Sequence, residues 1–248
     1  MYINKDNIKV TEKIIDTGGY ARIHLCEYNN KLYAYKKFIE REFIFTDNDI
    51  KRIEVLTDKN IFPEIILPKY LIRNNGKFES YITDLFNGET FDSLYKKDIA
   101  LKIEFLLKIK DVIIKMNNEL DIIHGDIHPD NLMFNKDTKK VCLIDFDNCK
   151  IDNINQNKNY LNPLYKEYIT YNSNSSLADI YMFNILTFSL LNEVNYFMVN
   201  DYIINNGYGD LFNSKSSFKL LDDISICKEN KEFLIDMVDE KKLFLQKK

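Results

Sequence analysis

The chain has 248 residues, of which 45% are hydrophobic, and this is enough to bury a core as one unit or as two lobes. Its 34 basic and 38 acidic residues leave a net charge of −4, so the composition indicates no bulk attraction to nucleic acid or to an anionic membrane. The four cysteines show no metal-ligand spacing and no signal peptide precedes them, which predicts a reducing, cytoplasmic location.

The first predicted strands flank a glycine turn. Gly18 and Gly19 interrupt the apolar pattern, and a plain hairpin turn would account for both of them. Glycine also lets backbone N–H groups approach phosphate oxygens closely, so a phosphate-binding loop is the functional alternative. In the next strand, alternation places Ala34 and Lys36 on one face and turns Lys37 to the other, where solvent would surround it.

A helix is predicted after these strands, from Thr46 to about Lys59. Thr46 is a residue type that caps helix N-termini, and Asp49 three residues later would complete a capping box. An apolar stripe follows at helical spacing. Glu54 lies on this helix, eighteen residues after Lys36, and the pattern alone would make it a surface carboxylate.

The most informative stretch is the loop H-G-D-I-H-P-D-N, residues 124–131. Asp126 and Asn131 lie five residues apart on this loop, and Asp145 follows after two short β-like runs. A hairpin between the two runs, turning at residues 135–138, would bring Asp145 back beside Asn131.

These residue types suit phosphoryl transfer, which requires charge neutralisation on a triphosphate and an acceptor hydroxyl placed in line. Asp145 and Asn131 supply hard oxygen ligands of the kind that Mg²⁺ prefers. Asp126 can orient the hydroxyl and accept its proton. The triplet at residues 145–147 could by itself be an ordinary turn at a strand end, but its spacing from the loop favours the phosphoryl-transfer interpretation.

A run of apolar residues from Ile180 to Leu191 predicts a helix that is buried on all sides. The run is too short and too interrupted to span a membrane. A second helical stripe lies between Glu229 and Leu245 and consists of Phe233, Leu234, Met237 and Val238.

Taken together, these motifs resemble those of the protein-kinase superfamily. The loop resembles H-R-D-x-x-x-x-N, residues 145–147 resemble D-F-G, residues 33–36 resemble V-A-I-K, and residues 15–23 resemble the glycine-rich loop. The resemblance covers roughly residues 10–192. It implies an α+β, two-lobed protein-kinase-like fold, with a small antiparallel β N-lobe that has one helix, a mainly helical C-lobe, and ATP between them. As a single domain of residues 1–248, the chain would divide into an N-lobe (1–85), a hinge (86–90) and a C-lobe (91–248).

The resemblance also implies a role for each site residue. Asp126, Lys36 and Glu54 would be catalytic, with Glu54 pairing to Lys36, and Asn131 and Asp145 would bind Mg²⁺. Two residues, Asp84 and Phe86, would meet adenine through their backbones. The residues implied to bind ATP are Gly18, Gly19, Ile23, Ala34, Lys36, Asp84, Phe86 and Met133.

The acceptor is predicted to be a Ser or Thr hydroxyl of a protein, with a small-molecule hydroxyl as the alternative (aminoglycoside, choline or sugar). Asp179, which the resemblance implies braces the loop backbone, lies 34 residues beyond Asp145, and this spacing favours a protein kinase. His128 in place of lysine and Asp147 in place of glycine are typical of small-molecule kinases.

A nucleotide-binding pseudokinase is a third alternative, because the glycine loop lacks two of its glycines. No nucleic acid partner and no membrane span are expected, and the oligomeric state stays open.

Many protein kinases have arginine immediately before the catalytic aspartate, where it pairs with a phosphate on the activation segment. Gly125 holds that position here, so the charge partner is missing. Residues 147–169 contain no serine or threonine, and their hydroxyl groups belong to Tyr160, Tyr165 and Tyr168. We therefore predict activity without phosphorylation of this segment. The alternative is that a basic residue elsewhere, such as Arg52, receives a phosphotyrosine.

Overall fold

The computed structural model describes residues 1–17, 20–39, 45–59, 62–171, 177–199, 201, 233 and 235–236. These residues belong to two compact units, one of residues 1–87 and 144–147 and the other of residues 88–143 and 148–248. Gly18, Gly19 and most of the helical stripe predicted between Glu229 and Leu245 lie outside the described residues. The predicted α+β class is confirmed, because one unit is built on a sheet and the other mainly on helices.

The first unit contains a six-stranded sheet with the strand order β1-β5-β6-β4-β3-β2. Neighbouring strands are antiparallel except for β1, which pairs in parallel with β5. One α-helix, α1, packs against β5. The elements are β1 (Tyr2–Asn4), β2 (Lys9–Thr17), β3 (Ala21–Tyr28), β4 (Lys31–Phe38), α1 (Asp47–Asp58), β5 (Pro68–Asn74) and β6 (Lys77–Asp84), with a short 3₁₀ helix at Lys5–Asn7.

Side-chain alternation along β4 sets the two faces of this sheet. Tyr33 and Tyr35 are buried in an apolar cluster on one face. Ala34 and Lys36 therefore project from the other face, as the sequence predicts. Lys37 is exposed, also as predicted. The other buried members of the cluster are Ile3, Ile8, Cys26, Ile72 and Ile82.

Helix α1 begins as its sequence predicts. The Asp49 N–H donates to Thr46 Oγ1 (3.3 Å) and the Thr46 N–H donates to Asp49 Oδ2 (2.8 Å), so the predicted capping box is confirmed. Ile53 and Leu56 are buried on one side of the helix, as its apolar stripe requires. Asp49 and Arg52 are buried as well, and the apolar pattern did not predict two buried charges there.

The second unit is mainly helical, with a three-stranded sheet in the order β10-β9-β7 and a two-stranded pair of β11 and β8. Helix α4 packs against both α2 and α3, and nearly all of its residues are buried, which confirms the predicted buried helix. Within the described ranges, no helix combines the length and the apolar character that crossing a membrane requires. The elements are β7 (Glu89–Thr90), α2 (Ile99–Glu119), β8 (Ile122–Ile123), β9 (Leu132–Asn135), β10 (Lys140–Leu143), β11 (Lys150–Ile151), α3 (Pro163–Tyr171) and α4 (Ala178–Asn192), with 3₁₀ helices at Phe91–Lys96, Pro129–Asn131 and Lys158–Tyr160.

The hairpin predicted after the 124–131 loop is confirmed. Strands β9 and β10 are antiparallel, and Leu132 pairs with Leu143. The side chain of Asn135 makes the turn, because its Oδ1 accepts the N–H groups of Asp137 (3.0 Å) and Thr138 (2.8 Å). Asn131 is therefore the residue immediately before the paired end of this hairpin.

Candidate functional site

A buried aspartate holds the backbone of the loop that carries Asp126. Asp179, at the start of α4, accepts the His124 N–H through Oδ2 (2.9 Å) and the Gly125 N–H through Oδ1 (2.8 Å). Burial raises the pKa of the Asp179 carboxyl, and the two backbone donors oppose that effect. The brace predicted for Asp179 is confirmed, and it fixes the chain immediately before Asp126.

The Asp126 carboxylate has a donor on each oxygen. Asn162 Nδ2 donates to Oδ1 (2.7 Å), and Asn131 Nδ2 donates to Oδ2 (3.0 Å). His128 Nε2 lies 3.5 Å from Oδ2. Burial would raise the pKa of the Asp126 carboxyl, but His128 and Asn162 outweigh that effect and lower the pKa to about 2. The side chain is 41% exposed, so an ionised, oriented carboxylate is accessible from solvent.

The side-chain amide of Asn131 can present its oxygen to a cation. Its Nδ2 group donates to both the backbone oxygen and Oδ2 of Asp126, each at 3.0 Å, and this fixes the amide in one orientation. The amide oxygen is thereby left as the atom that could bind a metal ion. Asn131 is buried at the end of a 3₁₀ helix that His128 caps, because His128 Nδ1 accepts the Asp130 N–H (3.3 Å).

In the first unit, Lys36 forms ion pairs with two aspartates among the described residues. Its Nζ lies 2.5 Å from Asp145 Oδ1 and 2.5 Å from Asp147 Oδ2. Burial favours the neutral amine, but the two carboxylates outweigh it and raise the pKa of Lys36 above its ordinary value. Asp145 has a φ of 66°, which is an uncommon backbone conformation for a residue with a side chain. Such strain persists at sites where a side chain must be aimed in one direction.

Glu54 does not lie where the sequence predicted it. Its carboxylate accepts a hydrogen bond from the Tyr2 hydroxyl (2.6 Å), whereas Lys36 is paired with Asp145 and Asp147. The predicted Lys36–Glu54 pair is therefore wrong for this structure. Helix geometry gives the reason: Arg52 occupies the buried side of α1, and a residue two positions later lies about 200° further round the helix.

The sequence interpretation missed Arg52 and Tyr81 as partners of Asp147. Arg52 Nε donates to the backbone oxygen of Asp147 (2.7 Å), and the Tyr81 hydroxyl donates to Asp147 Oδ1. Burial raises the pKa of the Asp147 carboxyl, against the lowering effect of Lys36. One sequence signal was available for Arg52, because Asp49 and Arg52 are three residues apart and form a buried ion pair within α1.

The residues predicted to contact ATP are spread over both units, and their contacts with a nucleotide stay predictions. Four of them are partly exposed: Ile23 in β3, Ala34 in β4, Phe86 after β6 and Met133 in β9. Asp84 ends β6, and its carboxylate binds Lys31 (3.0 Å) and Lys69 (2.6 Å). These two lysines lower the pKa of Asp84, against the effect of burial.

Gly125 occupies a position that a larger residue would strain. Its φ is +71°, and a Cβ atom there would lie 1.9 Å from Gln156 Nε2 and 3.3 Å from the Tyr165 ring. An arginine before Asp126 would therefore need both a rare backbone conformation and a displaced Gln156. This accounts physically for the glycine at the position where many protein kinases have arginine.

The segment after residue 147 is held by neutral side chains. Asn148 Nδ2 donates to the backbone oxygens of Asn157 (3.2 Å) and Tyr160 (2.9 Å), and Asn148 Oδ1 accepts the Asn157 N–H (2.6 Å). Tyr165 and Tyr168 are buried. Arg52 is also buried and bound to Asp49, which argues against the alternative that it receives a phosphotyrosine.

Removing the phosphate from protein made in cells should leave its activity unchanged, because hydrogen bonds from Asn148 order this segment without a charged modification. The measurement is the turnover of one preparation before and after treatment with a broad phosphatase, with intact mass to show complete dephosphorylation. Loss of activity together with a phosphate mapped to Tyr160 would contradict the prediction.

Replacing Asn162 with Ala should lower kcat by about tenfold or more, because a hydrogen bond to the charged Asp126 is worth about 1.5–3 kcal/mol. KM for the nucleotide should change little. Asn162 Oδ1 also accepts the Leu164 N–H (2.8 Å) at the start of α3, so the variant could instead act through the helix. Asn162→Asp keeps this acceptor and replaces the donor to Asp126 with a second carboxylate. We expect Asn162→Asp to be at least as slow as Asn162→Ala, because it also adds a like charge beside Asp126, while the exposed control Asn159→Ala turns over normally.

Comparisons with known proteins fit this geometry. Residues 62–155 match a family model described as the phosphotransferase enzyme family (APH), and the matched range contains Asp126, Asn131 and Asp145. The chain is also similar to a protein of Dictyostelium discoideum that is named a probable serine/threonine-protein kinase. The two are 28% identical over 136 residues, which is 52% of this chain and 9% of that protein. The chain therefore spans only a small part of the length of this relative.

Proposed function

Because the chain belongs to the protein-kinase-like superfamily, we propose that it transfers the γ-phosphoryl group of Mg-ATP to a hydroxyl group. The observation that supports this most strongly is the Asp126 loop. Its catalytic carboxylate is ionised, has a hydrogen-bond donor on each oxygen, and follows a backbone braced by Asp179. This is the preorganisation that in-line transfer to a hydroxyl requires.

Each proposed catalytic residue has one task. Asp126 orients the acceptor hydroxyl and accepts its proton. Lys36 contacts the α- and β-phosphates through its ammonium group. Asn131 and Asp145 would hold Mg²⁺, which would neutralise charge on the triphosphate.

The residue types at the two positions suit Mg²⁺. Mg²⁺ is usually bound by one or two protein oxygens together with substrate phosphates and water, not by a cage of side chains. Asn131 presents an oriented amide oxygen, and Asp145 has a side chain that is 40% exposed. Among the residues that the structure describes, no group of three or more His, Cys, Asp or Glu side chains could hold a metal ion alone, and the proposed site needs none.

Further proposals follow from the resemblance. ATP would contact Gly18, Gly19, Ile23, Ala34, Asp84, Phe86 and Met133 in addition to Lys36. The chain would act as one domain with an N-lobe (1–85), a hinge (86–90) and a C-lobe (91–248), in the cytoplasm and without a nucleic acid partner. The described cysteines, Cys26, Cys142 and Cys149, are buried.

We propose a Ser or Thr side chain of a protein as the acceptor. The Dictyostelium relative carries the name of such a kinase, and the spacing between Asp145 and Asp179 leaves room for an activation segment. A small-molecule hydroxyl is the second candidate. The family model matched by residues 62–155 favours it, as does His128 beside Asp126.

A screen for the phosphorylated product tests these proposals. ATP labelled at the γ-phosphate and Mg²⁺ would be supplied with protein and peptide acceptors in one set and with aminoglycosides, choline and sugars in another. Label in the first set alone supports a protein kinase, and label in the second set alone supports the small-molecule alternative. Mg-ATP binding with no labelled product in either set would contradict the phosphotransferase and favour a pseudokinase.

A further inference from the structure

We propose that Asp147, not Glu54, orients Lys36 during phosphoryl transfer, and that Arg52 and Tyr81 are positioning residues that hold Asp147 in place. This inference rests on the proposed function, because it assigns the partner of the phosphate-binding lysine. Lys36 would then be held by Asp147, two residues after Asp145, and not by Glu54 on helix α1.

Asp147 is fixed at three separate points. Oδ2 binds Lys36 Nζ (2.5 Å), Oδ1 accepts the Tyr81 hydroxyl, and the backbone oxygen accepts Arg52 Nε (2.7 Å). Arg52 is itself fully buried and paired with Asp49. The position of Asp147 is therefore determined by donors from three elements, β4, β6 and α1, and not by the local turn alone.

The two carboxylates that bind Lys36 differ in how exposed their side chains are. The Asp145 side chain is 40% exposed, whereas the Asp147 side chain is 10% exposed. Only Asp145 can readily turn toward a metal ion in solvent. If Asp145 bound Mg²⁺, Asp147 would remain beside Lys36 and would keep its ammonium group in place.

The described ion pairs leave each cation a partner if Asp145 turns away. Among them, two cations, Lys36 and Arg52, pair with three carboxylates, Asp49, Asp145 and Asp147. If Asp145 bound the metal ion, Lys36 would keep Asp147 and Arg52 would keep Asp49. This matters because an unpaired buried charge is costly.

Two other interpretations fit the contacts less well. Glu54 already accepts a hydrogen bond from Tyr2, and it lies on another side of α1 from Arg52. Asp147 could in principle bind a second metal ion, because carboxylates are good Mg²⁺ ligands. Both of its oxygens, however, already have donors in Lys36 and Tyr81.

The test uses two conservative variants of the full chain, Tyr81→Phe and Arg52→Lys. Each keeps most of the side-chain volume and removes a donor to Asp147. Tyr35→Phe is the control for a lost buried hydroxyl, because Tyr35 bonds Glu79 on the opposite face of the sheet (3.1 Å). Arg73→Lys is the control for the guanidinium, since Arg73 stacks on Tyr2 instead of binding an aspartate.

We expect Tyr81→Phe and Arg52→Lys to lower kcat about tenfold or more, as the loss of a hydrogen bond to a charged group would, with KM for ATP changed much less. The melting temperature of Tyr81→Phe should equal that of Tyr35→Phe. Arg52→Lys should melt below Arg73→Lys, because Arg52 is buried and paired with Asp49 whereas Arg73 is exposed, so Tyr81→Phe is the deciding variant. Competitive acetylation, read by mass spectrometry without any turnover, should label Lys36 faster in both variants than in the controls, because Lys36 is then less firmly paired.

The inference is overturned if both variants match their controls in kcat and in Lys36 labelling. It is also overturned if Glu54→Gln slows transfer and speeds Lys36 labelling more than they do. Absence of transfer in the wild type would instead refute the proposed function, while the labelling still tests the Asp147 contact.

Discussion

Replacing Asp126 with Ala should remove most phosphoryl transfer while leaving the affinity for Mg-ATP nearly intact. Asp126 acts on the acceptor hydroxyl, and a positioned base of this kind contributes about 10²–10⁴-fold to the rate. Asn162 and Asn131 orient the Asp126 carboxylate. Removing it should therefore remove the positioned base from the site. Turnover with labelled ATP and the equilibrium binding of Mg-ATP measure the two effects separately.

Two further variants sharpen the result for Asp126. Asp145→Ala should lose metal-dependent nucleotide binding as well as turnover, because Asp145 is the proposed Mg²⁺ ligand. Asp137→Ala removes an exposed carboxylate from the β9–β10 turn and should behave as the wild type. If Asp126→Ala transfers phosphate as fast as the wild type, the assignment of the catalytic base is wrong.

Replacing Lys36 with Met should slow transfer by orders of magnitude. The ammonium group makes a charge-assisted contact that a thioether cannot replace. The neighbouring lysine provides a matched control, because Lys37 is exposed and projects from the other face of β4. Rates of phosphoryl transfer for Lys36→Met and Lys37→Met, measured at saturating and at low ATP, check the prediction.

Lys37→Met should be nearly silent in the same assay. The opposite ranking, with Lys37 essential and Lys36 dispensable, would contradict the strand register on which the site rests. Equal and large losses in both variants would point instead to damage of the sheet, which the melting temperatures would reveal.

Local patterns were enough to predict the features that depend on neighbours in sequence. The capping box of α1 needs only Thr46 and Asp49, and the β9–β10 turn needs only Asn135 and the residues after it. The face of Lys36 follows from simple alternation in β4. The brace by Asp179 was implied by the family resemblance, not by any local pattern.

The contacts that sequence reasoning missed join residues far apart in the chain. Arg52 and Asp147 are 95 residues apart, and Asn162 and Asp126 are 36 residues apart. A single sequence contains no signal that links such pairs, because each partner is an ordinary polar residue in its own segment. Spacing along α1 indicated its buried side through Ile53 and Leu56, but it could not show that Glu54 contacts Tyr2 instead of Lys36.

The central claim is that this chain transfers phosphate through Asp126, and the most direct test is labelled γ-phosphate transfer by the wild type and Asp126→Ala side by side. Both proteins would receive Mg-ATP and the same panel of protein and small-molecule hydroxyl acceptors. We predict a labelled acceptor with the wild type and almost none with Asp126→Ala, although both bind Mg-ATP. Labelled acceptor in equal amounts from both proteins, or none from a wild type that binds Mg-ATP, would contradict the account.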